Sequence, residues 1–143
     1  MAAMTHLAPS ADQLAAFRDL PFDQPIEMLN LLKFRDAPDY PTDHECADKG
    51  WSGADAYHHY LAEAGKVTAK LGLDVIWTAS PALTLIGPAD EAWDMAFIAR
   101  YPDAKAFLTM IGDPDYQAAT IHRTAALADS RLIRCAPIAL QKD

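Results

Sequence analysis

Residues 26–34 read Ile-Glu-Met-Leu-Asn-Leu-Leu-Lys-Phe, and this stretch decides the fold. Strand alternation puts Ile26, Met28, Asn30, Leu32 and Phe34 on one face. The other face carries Leu29 and Leu31, with Glu27 and Lys33 near the ends. Both faces are largely apolar, so both are expected to be covered. A small domain has helices for one face only. A second copy of the chain is the simplest cover for the other.

Upstream, Ser10 is a good N-cap with Gln13 three residues on, the pattern of a capping box. Leu14, Phe17 and Leu20 then follow helical spacing, and Pro21 and Pro25 end the piece. Residues 1–25 are therefore expected to form a helical extension on a domain spanning 26–143. Downstream, residues 35–52 are irregular, acidic and proline-containing, long for a plain connection. Gly53 to Leu71 reads as a helix, with Tyr57, Tyr60, Leu61, Ala64, Val67, Thr68 and Leu71 on one face and Gly72 at its C-terminal end. Asp74 to Ile86 reads as a strand broken at Ser80-Pro81, because proline lacks a ladder donor. Trp93 to Tyr101 is the next strand. Pro102-Asp103 opens a helix ending near Gly112, and Asp113-Pro114 starts another that runs to about Ala128. Ser130 to Ile138 is the last strand. After the extra N-terminal helix the order is βαββαβ, the split βαβ pattern of an α+β, ferredoxin-like fold.

Composition narrows the function. The chain has 143 residues, 51% hydrophobic and 22% charged, which is ordinary for one globular domain. Its net charge of −8 and the lack of any Lys/Arg cluster argue against nucleic acid as a partner and against anionic membranes. Cys46 and Cys135 form no CxxC pair, and a reducing compartment fits them. The start carries no leader pattern and no apolar run is long enough to span a bilayer, so a cytoplasmic location is expected. There is no GxGxxG, no Walker pattern and no GxSxG elbow. No cofactor is expected.

Several pieces taken in order resemble a known bacterial family. They are Asn30-Leu31-Leu32-Lys33-Phe34, Gly53-Ala54-Asp55-Ala56-Tyr57 with Tyr60, Arg100-Tyr101-Pro102, Asp113-Pro114-Asp115-Tyr116-Gln117, and His122-Arg123 running on to Asp129-Ser130-Arg131-Leu132. Together, over roughly residues 26 to 136, they resemble the domain of unknown function 1330 family of the dimeric α+β barrel superfamily. The resemblance implies a ferredoxin-like subunit whose sheet packs on a second copy across a two-fold axis, with small-molecule clefts between sheet and helices. The wider superfamily includes cofactor-free monooxygenases, lactone isomerases and haem enzymes, so the fold does not choose a reaction.

The candidate site residues each carry two readings. Asn30, mid-strand among apolar neighbours, either contacts a ligand or bonds to nearby backbone. Tyr116 and Arg123 lie seven apart on one helix face and can grip a carboxylate, or Arg123 pairs with an acid and Tyr116 packs. His122 is the candidate general acid or base, pointing about 100° away from Arg123, or a surface histidine. Tyr60 and Trp77 either line an apolar pocket or belong to the core. Arg100 attracts an anionic ligand or pairs with a carboxylate. His58 and His59, off the apolar stripe, are expected to face solvent. Asp43-His44-Glu45-Cys46 has ligand types without a zinc spacing, so no metal is expected.

These residues suggest a homodimeric small-molecule-binding protein. It would be a cofactor-free enzyme, oxygenase- or isomerase-like, acting on a small apolar or aromatic compound with an acidic or polar group. The alternative is a non-catalytic dimeric structural or regulatory module.

Overall fold

The computed structural model describes residues 5–140. Its order is α1 (Ala11–Asp19), β1 (Ile26–Phe34), α2 (Gly53–Thr68) with a 3₁₀ turn (Ala69–Leu71), β2 (Asp74–Ala79), β3 (Met95–Tyr101), α3 (Ala104–Gly112), α4 (Pro114–Ala126) and β4 (Leu127–Cys135). The sheet is four-stranded in the order β2-β3-β1-β4, and every neighbouring pair is antiparallel. Two split βαβ units interleaved in this way make the ferredoxin-like fold.

β1 lies between β3 and β4. Its first face packs beneath the helices: Ile26, Met28 and Leu32 are almost fully buried, and Asn30 lies among them. Tyr57, Tyr60, Ala64 and Val67 of α2 supply the facing layer, with Tyr116, Ala119, Ala125 and Ala126 of α4. The second face is bare in one copy of the chain. The strand register lines up Trp77, Ile98, Leu29 and Ile133 in one row across all four strands. Trp77 and Ile133 are 47% and 46% exposed. Loop residues Leu83, Leu85 and Ile86, between β2 and β3, are exposed as well.

Local chemistry fixes the ends. The Ser10 capping box forms as expected, and Ser52 with Asp55 makes a second one at α2. Gly72 takes the left-handed conformation (φ +76°) that lets the chain leave the 3₁₀ turn for β2. Two strand expectations need correction. β2 stops at Ala79, and residues 80–94 form no strand, because Pro81 ends the ladder and the chain turns through Pro88 before rejoining the sheet where Asp94 N–H donates to Leu32 O (2.7 Å). β4 begins at Leu127 and ends at Cys135, three residues early at each end, because Leu127 already pairs with Phe34 across a bulge.

The first turn of α2 is wedged against the ends of β1 and α4. Gly53 N–H donates to Arg35 O (3.1 Å), and Arg35 N–H donates to Ala126 O (2.8 Å). A Cβ on Gly53 would lie 2.0 Å from Arg35 O and 2.8 Å from Ala126 O, both backbone atoms that cannot swing away. Gly53→Ala is expected to destabilise the fold by about 3 kcal/mol or more, read from urea unfolding midpoints. An unchanged midpoint would contradict this close approach.

Candidate functional site

The buried polar groups under the helices form one cluster. Tyr57 and Tyr60 come from α2, Tyr101 from β3, and Tyr116 from α4. Tyr60 and Tyr116 share a hydrogen bond between their hydroxyls at 2.8 Å, and Tyr101 O–H points at the Met110 sulfur (3.5 Å). Burial pushes the Tyr57, Tyr60 and Tyr101 hydroxyls above their ordinary range, so all three keep their protons. The Asn30 amide donates to Met28 O (3.1 Å), two residues back on its own strand. Arg123 donates to Leu7 O (2.6 Å) and to Ser130 Oγ (3.4 Å), with the Tyr57 hydroxyl beside it. No buried side-chain polar atom among the described residues lacks a partner. The space between sheet and helices is thus occupied by side chains bonded to one another and to the backbone.

A second cluster lies on the outer side of the helix pair, where the 35–52 loop wraps over α2 and α4. Tyr40 is buried and its hydroxyl is 2.7 Å from His122 Nδ1. The His44 ring stacks on Tyr40 at 4.9 Å, and the His59 ring meets His122 edge-on at 4.4 Å. Trp51 packs against His59 at 5.1 Å. His59 is therefore half-buried, against the expectation that it faces solvent, while His58 is exposed as expected. The reason is a second stripe on α2. His59, Glu63, Lys66 and Lys70 recur every three or four residues and face Asp115 and His122 on α4. Ala118 and Ala119 are too small to close the gap, and a cleft of about 470 Å³ opens there. A further cleft of about 480 Å³, between Tyr40 and Thr120, lies on the other side of the Tyr40–His122 pair.

The electrostatics of this pair suit proton transfer. Desolvation by burial lowers the His122 pKa, and the neighbouring His59 and His44 lower it further against the opposing pull of Glu63 and Glu45. His122 is accordingly neutral at pH 7. Tyr40 is pushed up to about 12 by burial and by the nearby Cys46 thiol, so it stays a neutral hydroxyl. In the tautomer whose Nδ1–H donates to the phenol oxygen, Nε2 carries a free lone pair and can act as a base; in the other, the phenol O–H donates to Nδ1 and Nε2–H is a donor. Among the described residues no three His, Cys, Asp or Glu side chains converge as a metal site requires.

The structure separates several candidate residues. Asn30, Tyr60, Tyr116 and Arg123 belong to the buried cluster, and His122 to the outer one. Trp77 lies on the open sheet face, so within one subunit it shares no wall with Tyr60. Arg100, also on that face, stands in register between Asp74 and Glu27 and is exposed. Sequence reasoning missed Tyr40, Trp51 and the roles of His44 and His59 beside His122. The long 35–52 loop, bearing three aromatic or imidazole rings, was the available signal.

Fold and clusters together define a ferredoxin-like α+β protein with polar groups on both sides of its helix layer. The chain belongs to the family described as Domain of unknown function (DUF1330), whose family model matches residues 51–135. The RPA0582 protein of Rhodopseudomonas palustris, of unknown function, is 42% identical, with 96% of this chain and 100% of that chain covered and a TM-score of 0.87. A Caulobacter crescentus protein provisionally described as an antibiotic biosynthesis monooxygenase is 17% identical, covering 87% of this chain and 99% of that chain at a TM-score of 0.52. It shares the fold. A Thermobifida fusca protein described as a dimeric ferredoxin-like protein of unknown function is 19% identical, covering 82% and 96%, at a TM-score of 0.48. No curated protein matches the chain. No helix among the described residues is long and apolar enough to cross a membrane.

Because the folded chain holds His122 neutral below the ordinary value of 6.5, the unfolded chain binds more protons in the window below 6.5. Stability is expected to fall as pH drops through that window. An imidazole NMR titration should place the His122 midpoint below 6.5, and His59→Gln should move it upward by removing one like charge. A midpoint at or above 6.5 would contradict the description of the cluster.

Proposed function

We propose that the chain is a homodimeric small-molecule-binding protein that carries out proton transfer at His122. The observation that supports this most strongly is the 2.7 Å contact between His122 Nδ1 and Tyr40, on the wall of a cleft that a small compound can enter. The 35–52 loop supplies Tyr40, α4 supplies His122, and His59 of α2 packs against the imidazole. Val67, Ala118 and Ala119 give the cleft a short apolar floor, while His59, Lys66 and Asp115 supply donors and acceptors around it. A compound with a compact apolar body and a polar, ionisable group fits this lining. His122 would take a proton at Nε2, and Tyr40 would orient the ring through Nδ1, as in other base–orienter pairs.

The dimer is proposed on separate grounds. The row Trp77, Ile98, Leu29 and Ile133 is an apolar surface that nothing in the same chain covers, and Leu83, Leu85 and Ile86 are exposed as well. A second copy meeting it face to face would cover it.

The alternative, a non-catalytic dimeric module, is favoured by one observation: Asn30, Tyr60, Tyr116 and Arg123 all spend their hydrogen bonds within the chain. An NMR titration separates the two. ¹⁵N-labelled protein would be titrated with small aromatic and aliphatic acids and their amides, following the His122 and His59 rings. The enzyme reading predicts saturable shifts with one class, weakened about tenfold or more in His122→Asn, which keeps a partner for Tyr40 but removes the base. If no compound moves these rings, or His122→Asn binds as well as the wild type, the module reading stands.

A further inference from the structure

The segment before β1 is held on the domain mainly through its backbone. At its start, Ser130 Oγ donates to His6 O (2.5 Å), Arg123 donates to Leu7 O (2.6 Å), and His6 N–H donates to Asp129 Oδ1 (2.9 Å). Further along, Arg134 donates to Phe17 O (3.1 Å) and Pro21 O (2.5 Å). α1 has no buried residue, and only Leu7 and Phe17 of the segment pack against the core, both partly. It is a strap laid over the domain.

The group beneath the Leu7 end is unusual. The chain carries 20 acidic and 12 basic residues, yet the half-buried Arg123 has no carboxylate within ion-pair distance among the described residues. Asp129 on the adjoining strand is paired with Arg131 at 2.9 Å. Every acceptor around Arg123 is neutral: a backbone carbonyl, the Ser130 hydroxyl and the Tyr57 phenol. A partly desolvated guanidinium of this kind gains most from an anionic, bidentate acceptor.

We propose that Arg123, Ser130 and Tyr57 form a binding site for the carboxylate of a short branched aliphatic acid, which the strap's own Leu7 occupies in the free protein. The Leu7 carbonyl stands where one carboxylate oxygen would bind, and its isobutyl side chain packs, partly buried, against the core. Without its nitrogen, that leucine is 4-methylpentanoate. The ligand enters by displacing residues 6–8. Arg123 and His122 diverge by about 100° around α4 and engage different partners, so this site is separate from the His122 cleft.

The test uses the full chain, with 4-methylpentanoate as probe and 4-methylpentanamide as its uncharged control. The carboxylate should bind saturably and shift the Arg123 side-chain NMR signal. It should also speed exchange of the His6 amide, which is bonded to Asp129 in the closed strap, by about tenfold or more. The amide should not bind. Arg123→Lys should weaken binding about tenfold or more, since an ammonium cannot hold both oxygens. Leu7→Gly, which leaves every Arg123 contact atom in place, should strengthen it severalfold by weakening the competing plug. The proposal is overturned if the acid binds neither wild type nor Leu7→Gly, if Arg123→Lys binds equally well, or if binding leaves the His6 amide unchanged. Shifts confined to His122 and His59 would also overturn it, while supporting the outer cleft as the ligand site.

Discussion

The apolar character of β1 on both its faces is the constraint from which the rest of the structure follows. Held between β3 and β4, this strand has no free edge, so its backbone is satisfied and only its side chains remain to be covered. Ile26, Met28 and Leu32 on one face give α2 and α4 a surface to pack on. Those helices in turn bring Tyr57, Tyr60 and Tyr116 over Asn30. Leu29 and Leu31 on the other face join Trp77, Ile98 and Ile133 in a surface with nothing in the same chain to meet it. The hydrophobic effect makes that exposure unfavourable, and the proposed association of two sheets would relieve it.

α4 divides the polar chemistry into two regions. His122 and Arg123 are consecutive, so their side chains diverge by about 100° around the helix. One turns outward to Tyr40 and His44 of the 35–52 loop and His59 of α2, and the other turns toward β4 and the N-terminal strap. Of the buried tyrosines between them, Tyr57 and Tyr60 stay protonated and Tyr60 is bonded to Tyr116, so they add polarity to the interior without a charge. Asp129 shows how the strap and sheet are tied together. Burial alone would raise its carboxyl, but hydrogen bonds from His6 N–H, Arg131 and Ser130 N–H outweigh that and hold it below the usual range.

Much of the fold was legible in the sequence because its signals are local. The alternation from Ile26 to Phe34, the Ser10–Gln13 box, the glycine at 72 and the proline after Asp113 each act within a few residues, and each forms as read. β2 ends at the Ser80-Pro81 break that the sequence marks, whereas the misplaced limits of β4 were set by pairing with β1, which local pattern does not encode. The candidate site was less legible for the same reason. His59 lies off the apolar stripe of α2 and reads as exposed until α4 and the 35–52 loop close over it. Tyr40 and His122 are 82 residues apart, and nothing near either one announces the other. Trp77 and Tyr60 both read as pocket aromatics, yet strand register places a sheet between them.

Sedimentation equilibrium on the wild-type chain and an Ile98→Asp variant tests the central claim most directly, because Ile98 sits in the middle of the uncovered row. The account predicts a wild-type particle of twice the 15.6 kDa chain mass at micromolar concentration, and a variant that stays folded but dissociates. A wild-type monomer of 15.6 kDa under the same conditions would contradict it.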